Sequence, residues 1–439
     1  MSRLTIKNFG PLKSVSIPLS RIMVFMGPQS SGKSTVAKII SFCLWLEKDI
    51  IFHQSVKHVD EDFMAKYFID YHFFGNYKND DWEISYESEV LSLCYNASGV
   101  TCRKGREWSK GSLSKNAYIP AERNCVSVTG LKSLEMDANY QRSFVFDWLD
   151  MLDKCTGDRA LDLQKTLGLG MKVYYDSELK RLVARPEGVE KDFDMPELSS
   201  GLQSIIPLIL TFENLTKWVF DSLESLSYEK SDELPRSLAK NFIGEHGPDG
   251  MDEAEIIAGI GNDSFERLVK SMKVIMSLKN NNGLDADIKK IVDVRDKISR
   301  PHFSNIVIEE PDQNIFPRTQ IDLVYYLLAE INRAGDRIGH FVITTHSPFI
   351  LYAVNNCMLG HTVRAALPES EKASLFADSW IDPAQTAIYE LKDGKFLSND
   401  GKEDATIQAA DGLIRKNYFD GIMGELMADF RKLLVYYPD

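Results

Sequence analysis

The stretch "FMGPQSSGKST", residues 25–35, decides how this chain is read. It has the form G-x-x-x-x-G-K-[ST], with Gly27, Gly32, Lys33 and Ser34 at the defining positions. The apolar run "RIMVF" before it reads as a buried strand, and "TVAKIISFCLWL" after it has helical apolar spacing. Strand, glycine loop and helix together are the context in which this motif cradles phosphate. The glycines let the backbone turn its N–H groups onto an anion at the helix N-terminus. The binding stretch runs through Gly27, Pro28, Gln29, Ser30, Ser31, Gly32, Lys33, Ser34 and Thr35. Lys33 would reach the β- and γ-phosphates of ATP, and the Ser34 hydroxyl would ligate Mg²⁺.

A chain of 439 residues is long enough for two or three compact units. Its 44% apolar and 26% charged content is that of an ordinary soluble protein. The net charge of −13 argues against a surface that coats nucleic acid, which needs clustered Lys and Arg. A local basic patch stays open. Cys43, Cys94, Cys102, Cys125, Cys155 and Cys357 show no C-x-x-C spacing and read as reduced thiols. The N-terminus lacks the continuous apolar region of a secretory signal, and no run approaches a membrane span. The expectation is a cytoplasmic protein without a membrane partner.

Along the chain, "RLTIKNFGPLKSVSIPL" predicts two strands around a Gly-Pro turn. An aromatic helix and then antiparallel strands are expected between Asp49 and Trp108, and "NAYIPAERN" reads as a strand ending at a proline turn. Residues 138–170 have helical periodicity, and "MKVYYDSELKRLVARP" reads as a hairpin. From "SNIVIEEPD" onward apolar strands alternate with helices, the pattern of a parallel sheet. The fold expected is α/β: a P-loop head with a mixed sheet, an antiparallel β lobe and a helical insertion. Residues 1–220 and 301–439 would form the two parts of the head, and the charged segment 221–300 the insertion.

Four further stretches bear on chemistry. In "NIVIEEPDQNIFP" a strand ends in two carboxylates. Glu309 could hold Mg²⁺ and Glu310 could polarise the water that attacks the γ-phosphate. In "FVITTHSPFIL" His346 stands at the end of a strand, where open α/β sheets bind ligands. It could bond the γ-phosphate or the attacking water. "ELSSGLQS" places Ser199, Ser200 and Gly201 before an apolar helix, so it is either a second anion site or an ordinary serine cap. A second phosphate site would mean ATP sandwiched between two copies. Arg123 in "YIPAERN" could contact phosphate or carboxylate, or form a structural salt bridge.

In this order the motifs resemble the ATP-binding-cassette class of ATPases, and within it the compact OLD-like AAA ATPases related to SMC and break-repair ATPases. The resemblance rests on "LTIKNFGPLKS", the glycine loop, "YIPAERN", "LSSG", "IVIEEPD" and "TTHSP", and spans the chain to about residue 352. It implies an ATPase using Mg²⁺, with Lys33 and Ser34 on phosphate and metal and Glu309 as the second metal ligand. Glu310 would be the catalytic glutamate and His346 the switch histidine, with Ser199 and Gly201 acting in trans. The family often has histidines after the glutamates, where this chain has Asn314 and Phe316. The last 90 or so residues are short for the Toprim nuclease domain that OLD-like proteins often carry, so a stand-alone ATPase is expected. By resemblance its partners are a second copy of itself, as a dimer or higher homo-oligomer, and a separately encoded effector such as a nuclease or toxin in phage defence. The alternative is a DNA-engaging SMC-like repair or maintenance ATPase, which would use the basic residues of the insertion.

Overall fold

Every residue of Ile22–Met26 (β3) is buried, as a strand covered on both faces must be. Its side chains alternate between two cores. Ile22, Val24 and Met26 join one, and Met23 and Phe25 the other. The computed structural model describes residues 2–53, 55–108, 111–127, 139–152, 154–221, 266–272 and 301–437. Within them β3 is central to an eleven-stranded mixed sheet. Its parallel part comprises β3, Ser114–Ile119 (β7), Phe303–Glu309 (β12), Ile338–Thr345 (β13) and Thr386–Lys392 (β14), in the order β14-β3-β13-β12-β7.

The antiparallel part is built from Arg3–Phe9 (β1), Leu12–Pro18 (β2), Lys78–Glu87 (β4), Leu91–Asn96 (β5) and Gly99–Lys104 (β6). The short strand Lys395–Phe396 (β15) joins it to β14, so both ends of the chain share one sheet. The predicted hairpin at 171–186 pairs Met171–Asp176 (β9) with Arg181–Pro186 (β10). With Leu161–Asp162 (β8) and Phe193–Asp194 (β11) they make a separate four-stranded antiparallel sheet.

One face of the parallel strands is covered by Lys33–His53 (α1), backed by aromatic residues of the segment after it, such as Phe68 and Phe74. That segment contains a four-residue helix, Glu61–Met64 (α2), running into a π-helical turn, Ala65–Asp70. On the other face lie Tyr140–Leu152 (α3), Ser200–Thr216 (α5), Pro317–Ala334 (α6) and Pro348–Val363 (α7). The expectation of continuous helix over 138–170 is corrected within the described residues. Helix ends at Leu152, Gly157 takes a positive φ of 53°, and only Leu163–Leu167 (α4) resumes it after β8. The insertion expected at 221–300 lies outside the described residues, except for Asp221 and a helical stretch at 266–272. The six cysteines are free thiols. Among the described residues no helix is long and apolar enough to cross a membrane.

Candidate active site

The glycine loop leaves β3 at the carboxyl end of the parallel strands, where open α/β sheets bind ligands. Two of its positions require glycine. Gly27 has φ 143°, and a Cβ there would lie 2.3 Å from the Leu391 carbonyl oxygen. Gly32 has φ 107°, and its Cβ would meet Leu12 Cδ2 at 2.8 Å. Ser30 also adopts a positive φ, 60°. The backbone therefore turns tightly into α1, whose first turn holds Lys33, Ser34 and Thr35. Lys33 is buried, and its Nζ donates to the carbonyls of Gly27 (3.0 Å) and Pro28 (2.8 Å). Burial pulls its pKa down to about 8, opposed by the nearby carboxylates Glu310, Asp312 and Glu309. The Ser31 hydroxyl is buried and has no hydrogen-bond partner among the described residues, whereas Gln29 and Ser30 are exposed.

Strand parity places the two carboxylates differently. Val307 belongs to the α1-side core and Ile306 and Ile308 to the other, so Glu309 faces α1. Glu309 is buried, and its Oε1 finds no hydrogen-bond partner among the described residues. The Tyr118 hydroxyl lies beside this carboxylate, its pKa raised by burial and by the charge of Glu309. A buried carboxylate oxygen left unsatisfied is costly and calls for an ion or water. Glu309 therefore fits a ligand of Mg²⁺, which takes one or two protein oxygens and completes its shell with phosphate and water.

Glu310 leaves the strand with φ 42°. Its N–H donates to the Thr344 carbonyl at 3.0 Å, which anchors the turn to β13. The side chain points to a different partner from Glu309: Oε1 lies 3.2 Å from His346 Nε2, and both groups are about a third exposed. The bond to His346 holds the Glu310 carboxyl below the usual range, against partial burial. Behind the pair, Thr345 Oγ1 donates to Asp312 Oδ1 at 2.7 Å, and Ser347 bonds Gln320. The turn after the glutamates and the end of β13 are thus tied together.

Among the described residues Arg123 forms no ion pair with a carboxylate, which corrects the expectation of a carboxylate contact or structural salt bridge. It is completely buried and donates only to main-chain carbonyls. Its Nη1 bonds Glu309 O at 2.9 Å and Pro120 O at 3.2 Å, Nη2 bonds Glu310 O at 2.9 Å, and Nε bonds Ser204 O at 3.1 Å. Burial lowers its pKa to about 10, still charged at neutral pH. One guanidinium therefore locks the backbone of both glutamates to the first turns of α5.

The serine loop stands apart. Ser199 caps α5, its hydroxyl accepting from Leu202 N–H at 3.5 Å, and Ser199 and Ser200 are exposed. Gly201 packs on the turn after the glutamates of its own chain, where a Cβ would come within 2.9 Å of the Asn314 carbonyl. Lys33, Glu309, Glu310 and His346 converge, while the serine hydroxyls face solvent. Sequence reasoning missed Lys38, Asp312 and Gln320. Lys38 lies one turn beyond Ser34 on α1, 4.0 Å from the Tyr140 ring centre. Burial lowers its pKa, and Glu309 is the largest opposing influence. Its i+4 spacing from Ser34 was the available signal. Asp312 and Gln320 sit in ordinary turn and helix sequence and carried none.

Residues 1–119, which hold the glycine loop and β1 to β7, match the family profile described as AAA ATPase domain. The matched residues are those that hold the glycine loop, and the profile's description agrees with the ATPase activity which that loop predicts. No curated protein sequence matches the chain. Solved structures that this chain matches include the SMC head domain from Thermotoga maritima, at 11% identity and a TM-score of 0.35, covering 80% of this chain and 90% of that one. The SmcHead bound to the C-winged helix domain of ScpA shows 10% identity and a TM-score of 0.37 over the same shares. The recombination mediator protein RecF of the RecFOR pathway shows 12% identity and a TM-score of 0.28, covering 90% of this chain and 96% of that one.

Proposed function

We propose that two copies of this chain close around ATP and hydrolyse it in composite sites. One copy supplies the glycine loop and carboxylates to each nucleotide, and the other supplies the serine loop. The observation that carries the reading is the Glu310–His346 pair, 3.2 Å apart, on the same strand ends that bring Glu309 toward Lys33. Lys33 would leave the Gly27 and Pro28 carbonyls for the β- and γ-phosphate oxygens. Glu310, held ionised by His346, would accept a hydrogen bond from the attacking water and take its proton as the oxygen bonds to the γ-phosphorus, while the bond to the β–γ bridging oxygen breaks and ADP leaves. His346 would then steady the carboxyl or bond the γ-phosphate. Mg²⁺ on Ser34 and Glu309 would neutralise charge on the phosphates. Ser199 and the N-terminus of α5, exposed in their own chain, would bind the γ-phosphate held by the second copy.

The net charge of −13 favours a protein effector over DNA as what this cycle controls. The resemblance to OLD-like ATPases suggests phage defence as the setting. The test is Glu310→Gln, expected to bind ATP normally and turn over at least ~100-fold more slowly. Its mass by light scattering should rise with ATP and Mg²⁺ but not with ADP. Turnover at the wild-type rate would place the base elsewhere. Turnover stimulated by DNA in a salt-sensitive manner would favour the repair reading instead.

A further inference from the structure

The helix Tyr418–Leu434 (α9; the short helix Glu369–Ser374 before it is α8) has no buried residue, although its apolar face is wide. Met423, Leu426, Met427, Phe430, Leu433 and Leu434 are each between 48% and 71% exposed. Beyond Phe419, which packs on the chain's own core, positions 423, 426, 430 and 433 alternate spacings of three and four, the seam of helices that pack knobs into holes. Gly421 and Gly424 lie in the helix interior and face open space. Each costs about 1 kcal/mol of helix propensity, so seventeen such residues need a packing partner to stay helical.

Two observations choose the partner. The charges are divided along the helix: Asp420 and Glu425 lie in its first half, while Arg431 and Lys432 occupy its last turn. The remaining acid, Asp429, is already paired with Lys432 at 3.1 Å. An antiparallel copy of the same helix would set the acidic half of each against the basic end of the other, and would also oppose the two helix dipoles. The exposed apolar face amounts to roughly 700 Å² per copy, close to the ~800 Å² that each side of a stable interface contributes.

We infer that α9 is a self-association surface, pairing antiparallel with α9 of a second copy about a two-fold axis and without need of nucleotide. The experiment measures mass by sedimentation at tens of micromolar in nucleotide-free buffer, using the wild type and Lys33→Ala. Both should be dimers, which separates this contact from the ATP sandwich. Leu426→Glu with Phe430→Glu should give monomers that still bind ATP. Glu425→Arg and Arg431→Glu should each weaken the dimer several-fold, and the two together in one chain should restore it. A parallel pair would leave the single variants unchanged, since like charges would already face each other. A wild type that is monomeric without nucleotide overturns the inference. So does one that is monomeric and sediments with phosphatidylserine vesicles, because the face would then be membrane-facing.

Discussion

Two helix N-termini in this chain are proposed to meet phosphate, and they are built in opposite ways. At the start of α1 the loop turns inward: Lys33 is buried, its ammonium already bonded by two carbonyls of its own loop, with three carboxylates in its field. At the start of α5 the loop turns outward: Ser199 and Ser200 are exposed, and as in α1 no acidic residue stands in the first turn. The first site is assembled within one copy. The second has its donors but no anion of its own, which is why a second copy's nucleotide is the partner proposed for it.

The largest expected effects test this asymmetry directly. Lys33→Ala should abolish high-affinity ATP binding with an unchanged melting curve, measured by calorimetry. Ser199→Arg should leave ATP binding to the single chain intact and block hydrolysis, because a bulky cation would prevent closure. A pair containing one copy of each variant keeps one intact composite site, so mixing the two should return part of the activity. Normal turnover by Ser199→Arg alone would break the comparison, leaving the serine loop as a simple helix cap.

A smaller effect is expected where the two regions are joined. Arg123 bonds Glu309 O and Glu310 O on one side and Ser204 O on the other, so it couples the strand bearing the carboxylates to the helix bearing the serine loop. Arg123→Met removes donors from buried carbonyls at a cost of about 1–3 kcal/mol for each one left unsatisfied. The expected outcome is a lower melting temperature, with kcat reduced about tenfold and KM unchanged, the signature of lost positioning in the transition state. Arg123→Lys should recover little, since a point ammonium cannot span four carbonyls. A melting shift without a change in kcat would make Arg123 purely structural.

The contrast also explains what was legible in the sequence. The glycine loop could be read because its geometry demands glycine at Gly27 and Gly32, whose neighbours leave no room for a Cβ. The strands β12 and β13 were legible because a strand buried on both faces reads as a continuous apolar run. Arg123 was not, because its partners are backbone carbonyls, and any sequence supplies those. The break after Leu152 was hidden for a related reason. The apolar residues Leu161, Leu163 and Leu167 continue a helical spacing while serving a short strand and a separate helix.

The smallest effect separates the two loops by proton uptake. In the nucleotide-free chain burial lowers the Lys33 pKa to about 8. Phosphates bound against the ammonium would favour its charged form, so the pKa in the complex must be higher. Below pH 8 the free site is already charged, and ATP affinity should be flat. Above pH 8 binding must take up a proton, so the dissociation constant should rise by up to tenfold per pH unit until the pKa of the complex is reached. Calorimetry between pH 7 and pH 9.5 in buffers of different ionisation enthalpy would report both the slope and the proton. Lys33→Arg, whose guanidinium stays charged throughout, should lose this dependence even though its affinity is lower. The serine loop carries no group that titrates in this range, so ATP-driven closure measured at saturating ATP should not follow the same curve. If closure and affinity weaken together with one apparent pKa near 8, the two loops do not act as separate halves, and Lys33 governs both.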